Sequence, residues 1–227
     1  MNRTKLNLIL GINLGILLIT GCFGNQSAKP APVRLAKPPV TLTKFFPRNV
    51  GTKWTYEGFA EYRDTRSLLR IQKPKNKSSI LEIMNFSGKV ADLSDGESKR
   101  NFNFRLRYLF TINSVYEEII QADTPFPHQI RSLQMLTLPL EKGATWQQQI
   151  TQNKQSKKLQ AQILELRTEN GKQIVKVRYH VPMQGMPQGV YEEIREFTTG
   201  MGLTYFEKTF DENSENRFQY RLYELQQ

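Results

Sequence analysis

The sequence predicts an all-β or β-rich α+β domain built on a strongly curved antiparallel sheet or an open barrel. Apolar and polar residues alternate along many segments of the 227-residue chain, which is the pattern of half-buried strands. Short polar turns separate these segments, and few of them carry the periodicity of an amphipathic helix. Because a sheet of many strands must curl or close to protect its edges, we expect continuous hydrogen bonding rather than two flat, stacked sheets.

The clearest strand is predicted at residues 102–112, where every second residue is apolar or aromatic. Runs with the same period lie at 175–181 and 217–222, and Asn170-Gly171 just before the first of them is a strong hairpin signal. A helix is the alternative for residues 154–167, because Lys, Gln, Leu and Glu favour helices. Further strands are predicted at 53–62, 66–72, 79–85, 88–93, 114–121, 130–137, 145–151, 159–167, 190–197 and 203–210.

Residues 1–22 have the anatomy of a secretory leader. Arg3 and Lys5 precede an uncharged run at 6–21, which is shorter than the roughly 20 apolar residues needed to span a bilayer. Cys22, the single cysteine of the chain, directly follows Gly21. This pattern resembles the signal peptide of bacterial lipoproteins, and the resemblance implies cleavage before Cys22 and lipid attachment to its sulfur. A buried thiol in an uncleaved anchor helix is the alternative.

The leader divides the chain into a signal peptide at 1–21, a lipidated Cys22 with a flexible linker through residue 44, and a β-rich domain at 45–227. The linker is predicted from its prolines and from its lack of any periodicity. We therefore expect an extracytoplasmic protein held to a membrane by its lipid anchor. That membrane is the outer one if the host has one, and otherwise the cell membrane, whose outer face would carry the protein.

The net charge limits the classes of binding partner, and the cysteine content limits the ways in which the domain can be stabilised. The formal net charge is +11, and removal of Arg3 and Lys5 with the leader lowers it to +9. Outside the cytoplasm, positive charge favours anionic lipid headgroups or envelope polymers, and no nucleic acid is expected as a partner. With no second cysteine the domain has no internal disulfide and depends on an ordinary hydrophobic core. The sequence leaves the oligomeric state unknown.

A repeated spacing indicates two related halves, at 45–137 and 138–227. Pro47, Gly51 and Trp54 obey the rule Pro, three residues, Gly, two residues, Trp, and the same rule recurs 92 residues later at 139–146. Proline ends the preceding segment, glycine permits a turn, and the tryptophan enters a strand with its ring available to the core. A second repeat, Val-Tyr-Glu-Glu-Ile at 115–119 and 190–194, has a spacing of 75 instead.

The opening of the domain carries a family resemblance. Phe46-Pro47, Gly51 and the segment 54–56 (Trp-Thr-Tyr), with Gly-Met-Gly-Leu at 200–203, are similar to motifs of a set of largely uncharacterised bacterial lipoproteins. In that set the first motif opens an all-β domain and the second lies near its end. Arg48 stands where leucine is common in the set. The resemblance implies a curved, lipoprotein-carrier-like β-domain and supplies no activity.

The sequence predicts neither an enzyme nor a bound cofactor or metal. The two histidines, His128 and His180, stand apart, and no cysteine–histidine cluster has metal-ligand spacing. An acidic turn at 211–222 imitates a calcium loop but lacks its glycine and its final glutamate. Each of the doublets Glu117-Glu118 and Glu192-Glu193 places its two carboxylates on opposite faces of a strand, so one glutamate of each could face inward. A buried carboxylate would be a candidate acid or base.

Two features favour binding. The uncharged loop at 181–189 carries Met183 and Met186, whose adaptable side chains suit the mouth of an apolar ligand site. A set of cations on polar strand faces would form a polyanion-binding face if their strands were neighbours. These cations are Arg105, Arg107, Lys176, Arg178, Arg217 and Arg221.

The leading hypothesis is therefore a lipid-anchored, non-enzymatic envelope protein whose domain binds a hydrophobic or amphipathic ligand or an envelope component. The alternative is a structural or interaction module that contacts partner proteins or anionic envelope polymers. An enzyme ranks third. A concave apolar cavity of several hundred cubic ångströms would favour the first hypothesis, and a filled core would favour the second.

Overall fold

A computed structural model describes residues 40–75, 79–91, 101–123, 130–152, 155–182, 190–209 and 217–227. Cys22, Met183, Met186 and His128 lie outside these residues, so the predictions made for them remain predictions. A short helix α1 (Val40–Thr43) and a 3₁₀ turn at Phe59–Glu61 accompany the strands. The strands are β1 (Lys53–Gly58), β2 (Arg63–Gln72), β3 (Glu82–Ala91), β4 (Asn101–Phe110), β5 (Ser114–Ala122), β6 (Ser132–Thr137), β7 (Thr145–Gln152), β8 (Gln155–Glu169), β9 (Lys172–Pro182), β10 (Val190–Thr198), β11 (Gly202–Thr209) and β12 (Arg217–Gln226).

The twelve strands form one antiparallel sheet in the order β6-β5-β4-β3-β2-β1-β12-β11-β10-β9-β8-β7. Strands that follow one another in sequence pair with each other, except β6 and β7, and β1 also pairs with β12, from Lys53 opposite Gln226 to Gly58 opposite Tyr220. Hydrogen bonding is therefore continuous from the first half of the chain to the second. The predicted curved antiparallel sheet is confirmed, and a two-sheet sandwich is not formed.

Side chains close the barrel where β6 and β7, the two ends of the sheet order, meet. Gln148 accepts a hydrogen bond from the Gln134 backbone N–H at 2.8 Å and donates one to the Ser132 carbonyl at 3.1 Å. The Trp146 indole N–H donates to the Gln134 carbonyl at 3.1 Å. These contacts occupy backbone groups on the edge of β6, which would otherwise be open to pairing with another chain. We call this place the seam.

One strand prediction needs correction. Residues 79–85 and 88–93 were expected to form separate strands, but β3 runs unbroken through Gly88 because the Phe104 ring of β4 packs against this glycine. A Cβ at Gly88 would lie 2.1 Å from Phe104 Cζ, so the glycine provides space inside a strand rather than a turn. The strand predicted at 159–167, where a helix over 154–167 was the alternative, is confirmed and lies within β8.

The two segments on which the family resemblance was based, 46–56 and 200–203, meet at the end of the barrel where β1 begins. The Gly200 and Gly202 N–H groups donate to the Lys44 and Phe45 carbonyls at 2.8 and 2.7 Å. The Trp54 indole N–H donates to the Met201 carbonyl at 2.7 Å, and the Tyr56 hydroxyl donates to the Leu203 carbonyl. The opening and closing motifs thus form one structural unit at this end of the barrel.

Leu42, Phe45 and Phe46 are buried beneath that unit, so the packed domain begins before the predicted boundary at residue 45. Arg48, the departure from the motif, donates two hydrogen bonds of 2.6 Å to the buried Glu82 carboxylate. The hydrogen bond to Glu82 raises the pKa of Arg48, which keeps this ion pair charged. Arg48, which stands where leucine is common in the set, therefore forms an ion pair with Glu82.

The Pro-Gly-Trp repeat has matching backbone geometry in both halves. Gly51 N–H donates to the Leu68 carbonyl, and Leu68 N–H donates to the Thr52 carbonyl. Gly143, Ile163 and Ala144 make the same two bonds in the second half. Both glycines have positive φ, at 94° and 88°, which explains the residue type. The Val-Tyr-Glu-Glu-Ile repeat instead lies on β5 and β10, which do not correspond under this 92-residue spacing.

Candidate functional site

The structure does not bring the six predicted polyanion-binding cations together. Arg105 and Arg107 lie on β4, Lys176 and Arg178 on β9, and six strands separate β4 from β9 in the sheet order. Arg217 and Arg221 lie on β12, between these two groups. The condition set by the sequence analysis, that the strands be neighbours, is therefore not met for the set as a whole.

Carboxylates or aromatic rings occupy most of these cations. Arg107 Nε donates to Glu118 Oε2 at 2.6 Å, Lys176 lies 3.6 Å from Glu196, and Arg217 lies 3.2 Å from Glu207. Arg221 stands over the Tyr205 ring at 5.2 Å, and Arg178 donates to the Gln162 side chain at 3.0 Å. Arg105 differs from them, because its side chain has no ion pair, hydrogen bond or ring contact in the described part of the chain.

A cleft of about 360 Å³ lies beside Arg105 on the outer face of β2–β5. Two rows of outward side chains cross these strands at the cleft. Pairing places Thr65, Lys89 and Asn103 in one row, and Ser67, Ser87, Arg105 and Gln121 in the other. The lining residues include no carboxylate, and Lys89, like Arg105, has no ion pair among the described residues. The nearby Asp123 carboxylate accepts the Asn103 backbone N–H at 3.2 Å.

Two other clefts on the outer face contain both signs of charge. One, of about 400 Å³ on β7–β10, includes Arg178, His180 and Glu192, with His180 Nδ1 3.9 Å from Glu192. The other, of about 410 Å³ on β8–β12, includes Arg167 and Glu196, which are 3.3 Å apart. Since their cations face carboxylates, these clefts offer less net attraction to an anion than the cleft beside Arg105.

Inside the barrel, Arg195 links two carboxylates. Its guanidinium lies 2.9 Å from Glu117 and 2.6 Å from Glu193, and all three side chains are fully buried. The Tyr191 hydroxyl also donates to Glu193. Burial alone would lower the pKa of Arg195, but Glu193 and Glu117 outweigh it and hold that pKa well above its usual value. The expectation that one glutamate of each doublet faces inward is met, and both carboxylates are held by one cation.

A second buried pair lies on β2. Arg66 donates to Asp64 at 2.8 Å and to the Tyr220 hydroxyl at 2.8 Å, and its guanidinium stands 4.3 Å from the centre of the Tyr56 ring. Burial would lower the pKa of Arg66, but Asp64 outweighs it and raises this pKa well above its usual value. The Tyr62 hydroxyl donates to the same aspartate. These groups form a charge pair embedded in aromatic rings.

Lys208 lies at the edge of this interior. It is 7% exposed, pairs across strands with Glu193, and has its ammonium 5.4 Å from the centre of the Phe218 ring. Burial lowers the pKa of Lys208 to about 8, and Glu193 opposes the shift. Among the interior groups described here, Lys208 is therefore the one whose charge changes in mildly alkaline solution.

Two solved structures are similar to this chain. One is a presumed lipoprotein of Parabacteroides distasonis, with 12% identity, a TM-score of 0.46, and coverage of 80% of this chain and 98% of that one. The other is a presumed exported protein with a YmcC-like fold from Bacteroides fragilis, with 10% identity, a TM-score of 0.49, and coverage of 81% and 99%. No protein-family model matches the chain, and no curated protein matches it.

In the part of the chain that the structure describes, no group of three or more His, Cys, Asp or Glu side chains could hold a metal ion. In the same part of the chain, no helix is long and apolar enough to cross a bilayer.

The cleft residue Lys89 and the interior cations Arg66 and Arg195 were missed at the sequence level. Strand alternation does assign Lys89 to an outward face and Arg66 to an inward one, between Asp64 and Leu68. Alternation could therefore have found the positions. It also places Asp64 beside Arg66 and Glu193 beside Arg195 on the same inward faces. It could not have found Glu117 as a partner of Arg195, because that contact depends on which strands come together inside the barrel.

Proposed function

We propose that this protein is a lipid-anchored, non-enzymatic envelope protein whose barrel is an interaction module that contacts other envelope components through its outer surface. The observation that carries the proposal is the packed cluster of buried side chains that the described strands contribute to the interior. Its described inward side chains are closely packed aromatic and aliphatic groups together with paired charges. An interaction module needs a rigid surface, which such a core provides.

The interior chemistry favours this module over a carrier of apolar ligands. A carrier needs a chamber lined by apolar side chains, with only a few polar groups. Here Arg66, Arg195, Glu117 and Glu193 are buried inside the barrel, and each is bonded to an oppositely charged partner. Moving an apolar ligand among them would disrupt charge pairs that are costly to break.

The same arrangement disfavours catalysis at the buried glutamates. A general acid or base must reach a substrate and exchange a proton with it. Glu117 and Glu193 are fully buried, and one arginine holds both. Their geometry suits a fixed charge network rather than a reactive dyad.

The proposed tether rests on the leader and on Cys22. Two or more acyl chains hold a protein firmly, since each buried CH₂ contributes about 0.8 kcal/mol and one chain alone gives marginal binding. Palmitate labelling of the wild type, its loss in Cys22→Ala, and globomycin-sensitive processing are the expected results. A wild-type protein that takes up no palmitate would contradict the tether.

The interaction-module proposal is tested by titrating the mature protein with an apolar fluorescent probe. We expect no saturable one-to-one binding. Saturable binding that weakens in Met183→Ser/Met186→Ser would contradict the proposal and support a ligand chamber gated by that loop. A matched control is Met201→Ser. This methionine lies outside the loop at 181–189, in the turn between β10 and β11 at the end of the barrel where β1 begins, so its replacement should leave probe binding unchanged.

A further inference from the structure

We infer that the cleft on β2–β5 binds a phosphorylated polyol, such as a glycerol phosphate unit. This inference rests on the proposed function, because it assigns a ligand class to the outer surface of the interaction module. The cleft joins two cations, three hydroxyl groups and two carboxamides in a volume of about 360 Å³. That volume is within the range of small-molecule sites.

Charge provides the first argument. Lys89 and Arg105 lie on adjacent strands, two residues apart in register, since Lys89 is opposite Asn103 and Ser87 is opposite Arg105. Diagonal neighbours of this kind are about 7–8 Å apart, so two long side chains can converge on one anion. Because neither cation has a carboxylate partner among the described residues, an incoming phosphate need not displace one. Arginine and lysine are the usual phosphate ligands of proteins.

The neutral side chains provide the second argument. Thr65, Ser67 and Ser87 carry hydroxyl groups, and Asn103 and Gln121 carry carboxamides. All of these groups both donate and accept hydrogen bonds, as the hydroxyl groups of a polyol also do. The lining is more polar than an apolar-ligand site requires. A phosphate next to the cations, with its polyol along the hydroxyl and amide rows, uses both kinds of group.

Arg107 differs from Arg105 in having a carboxylate partner, which favours Arg105 as the phosphate ligand. Arg107 follows Arg105 by two residues on the same outward face of β4, but its guanidinium is bonded to Glu118. Glycerol phosphate would have to compete with that carboxylate. The two arginines are therefore a matched pair, alike in type and strand but different in their partners.

The test is an amide-shift titration of the mature protein in neutral detergent, with glycerol 3-phosphate as the soluble probe and glycerol as the uncharged control. We expect saturable shifts at Lys89, Asn103, Arg105 and Gln121 with the phosphate and none with glycerol. Lys89→Gln/Arg105→Gln should weaken binding about tenfold or more, because hydrogen bonds to charged groups are lost. Lys158→Gln/Arg107→Gln, which also removes two positive charges, should change it less than about threefold.

Phosphatidylglycerol added to the micelles distinguishes the source of the phosphate. Competition with glycerol 3-phosphate identifies a lipid headgroup as a ligand, whereas absence of competition assigns the cleft to free or polymer-linked phosphates. Equal binding by the two double variants, or no shifts at the cleft, would overturn the inference. Neither result would contradict the proposal of a tethered interaction module. That proposal would be contradicted by saturable binding of an apolar probe inside the barrel. Amide spectra of each variant verify that it is folded.

Discussion

Arg195 and Glu117 lie 78 residues apart in the sequence, and their side chains meet inside the barrel with Nη1 2.9 Å from Oε1. The contact joins β10 of the second half to β5 of the first. Glu193 completes the cluster from the strand that carries Arg195 itself. A buried ion cluster of this kind holds β5 and β10 in one arrangement. Separating its charges costs much more free energy than separating an ion pair on the surface.

Arg195→Met should destabilise the protein by about 3–5 kcal/mol, because it leaves two buried carboxylates without their cation. The matched control is Arg107→Met, which breaks the half-exposed pair with Glu118 and should cost no more than about 1 kcal/mol. Urea unfolding followed by circular dichroism measures both. The triple variant Glu117→Gln/Glu193→Gln/Arg195→Met should recover much of the loss. Equal losses of unfolding free energy in Arg195→Met and Arg107→Met would show that the buried cluster contributes no more to stability than the partly exposed pair.

Gln148→Ala should weaken the seam by about 1–3 kcal/mol, because it leaves the Gln134 N–H and the Ser132 carbonyl without the side-chain amide that they bond. The Gln134 amide proton should then exchange with solvent faster than in the wild type. Gln149→Ala is the control, since Gln149 is exposed and bonds only to the exposed Ser156 among the described residues. Unchanged exchange at Gln134 in Gln148→Ala would argue against closure by this side chain.

Gly88→Ala should cost about 1–3 kcal/mol, because its Cβ would overlap the Phe104 ring. The double variant Gly88→Ala/Phe104→Leu should be less destabilised than the sum of its two single variants, since the smaller side chain makes room for the methyl group. Thermal or urea unfolding of the four proteins gives this coupling. Additive losses would mean that the ring does not require a glycine at this position.

Lys208 should make the protein more stable as the pH rises from 7 to 9.5. Its pKa is about 8 in the folded protein, below the ordinary lysine value of 10.5, so the unfolded chain binds more protons across this interval. The free energy of unfolding should therefore increase by about 2 kcal/mol over the interval. Lys208→Met should lack this increase, and the exposed-site control Lys158→Met should retain it. A wild type whose stability stays flat or falls would contradict the burial of a charged Lys208.

The sheet was largely predictable because strand alternation and turn chemistry are local. The run at 102–112 corresponds to β4, and the Asn170-Gly171 turn has both residues at positive φ, at 49° and 75°. Gly88 misled the prediction because glycine usually interrupts a strand, whereas here it accommodates a ring from the neighbouring strand. That reason becomes visible only once β3 and β4 are paired.

The candidate site was less predictable because its charges act through strand neighbours. The sequence puts Arg105 and Arg107 on one outward face, yet Glu118 on β5 neutralises one of them and no described carboxylate reaches the other. Likewise, each glutamate doublet indicates an inward carboxylate but not that both would meet Arg195. These outcomes depend on the register of the β4–β5 hairpin, which joins residues 11 apart, and on the contact between β5 and β10, which joins residues 78 apart.

Native mass spectrometry of the mature protein, extracted from its own host in neutral detergent, tests the central claim most directly. A barrel with a packed interior on a lipid tether predicts the mass of residues 22–227 plus covalent acyl groups, with no further lipid held in a one-to-one complex. A species that retains residues 1–21, or one that carries a noncovalent lipid until the barrel unfolds, would contradict it.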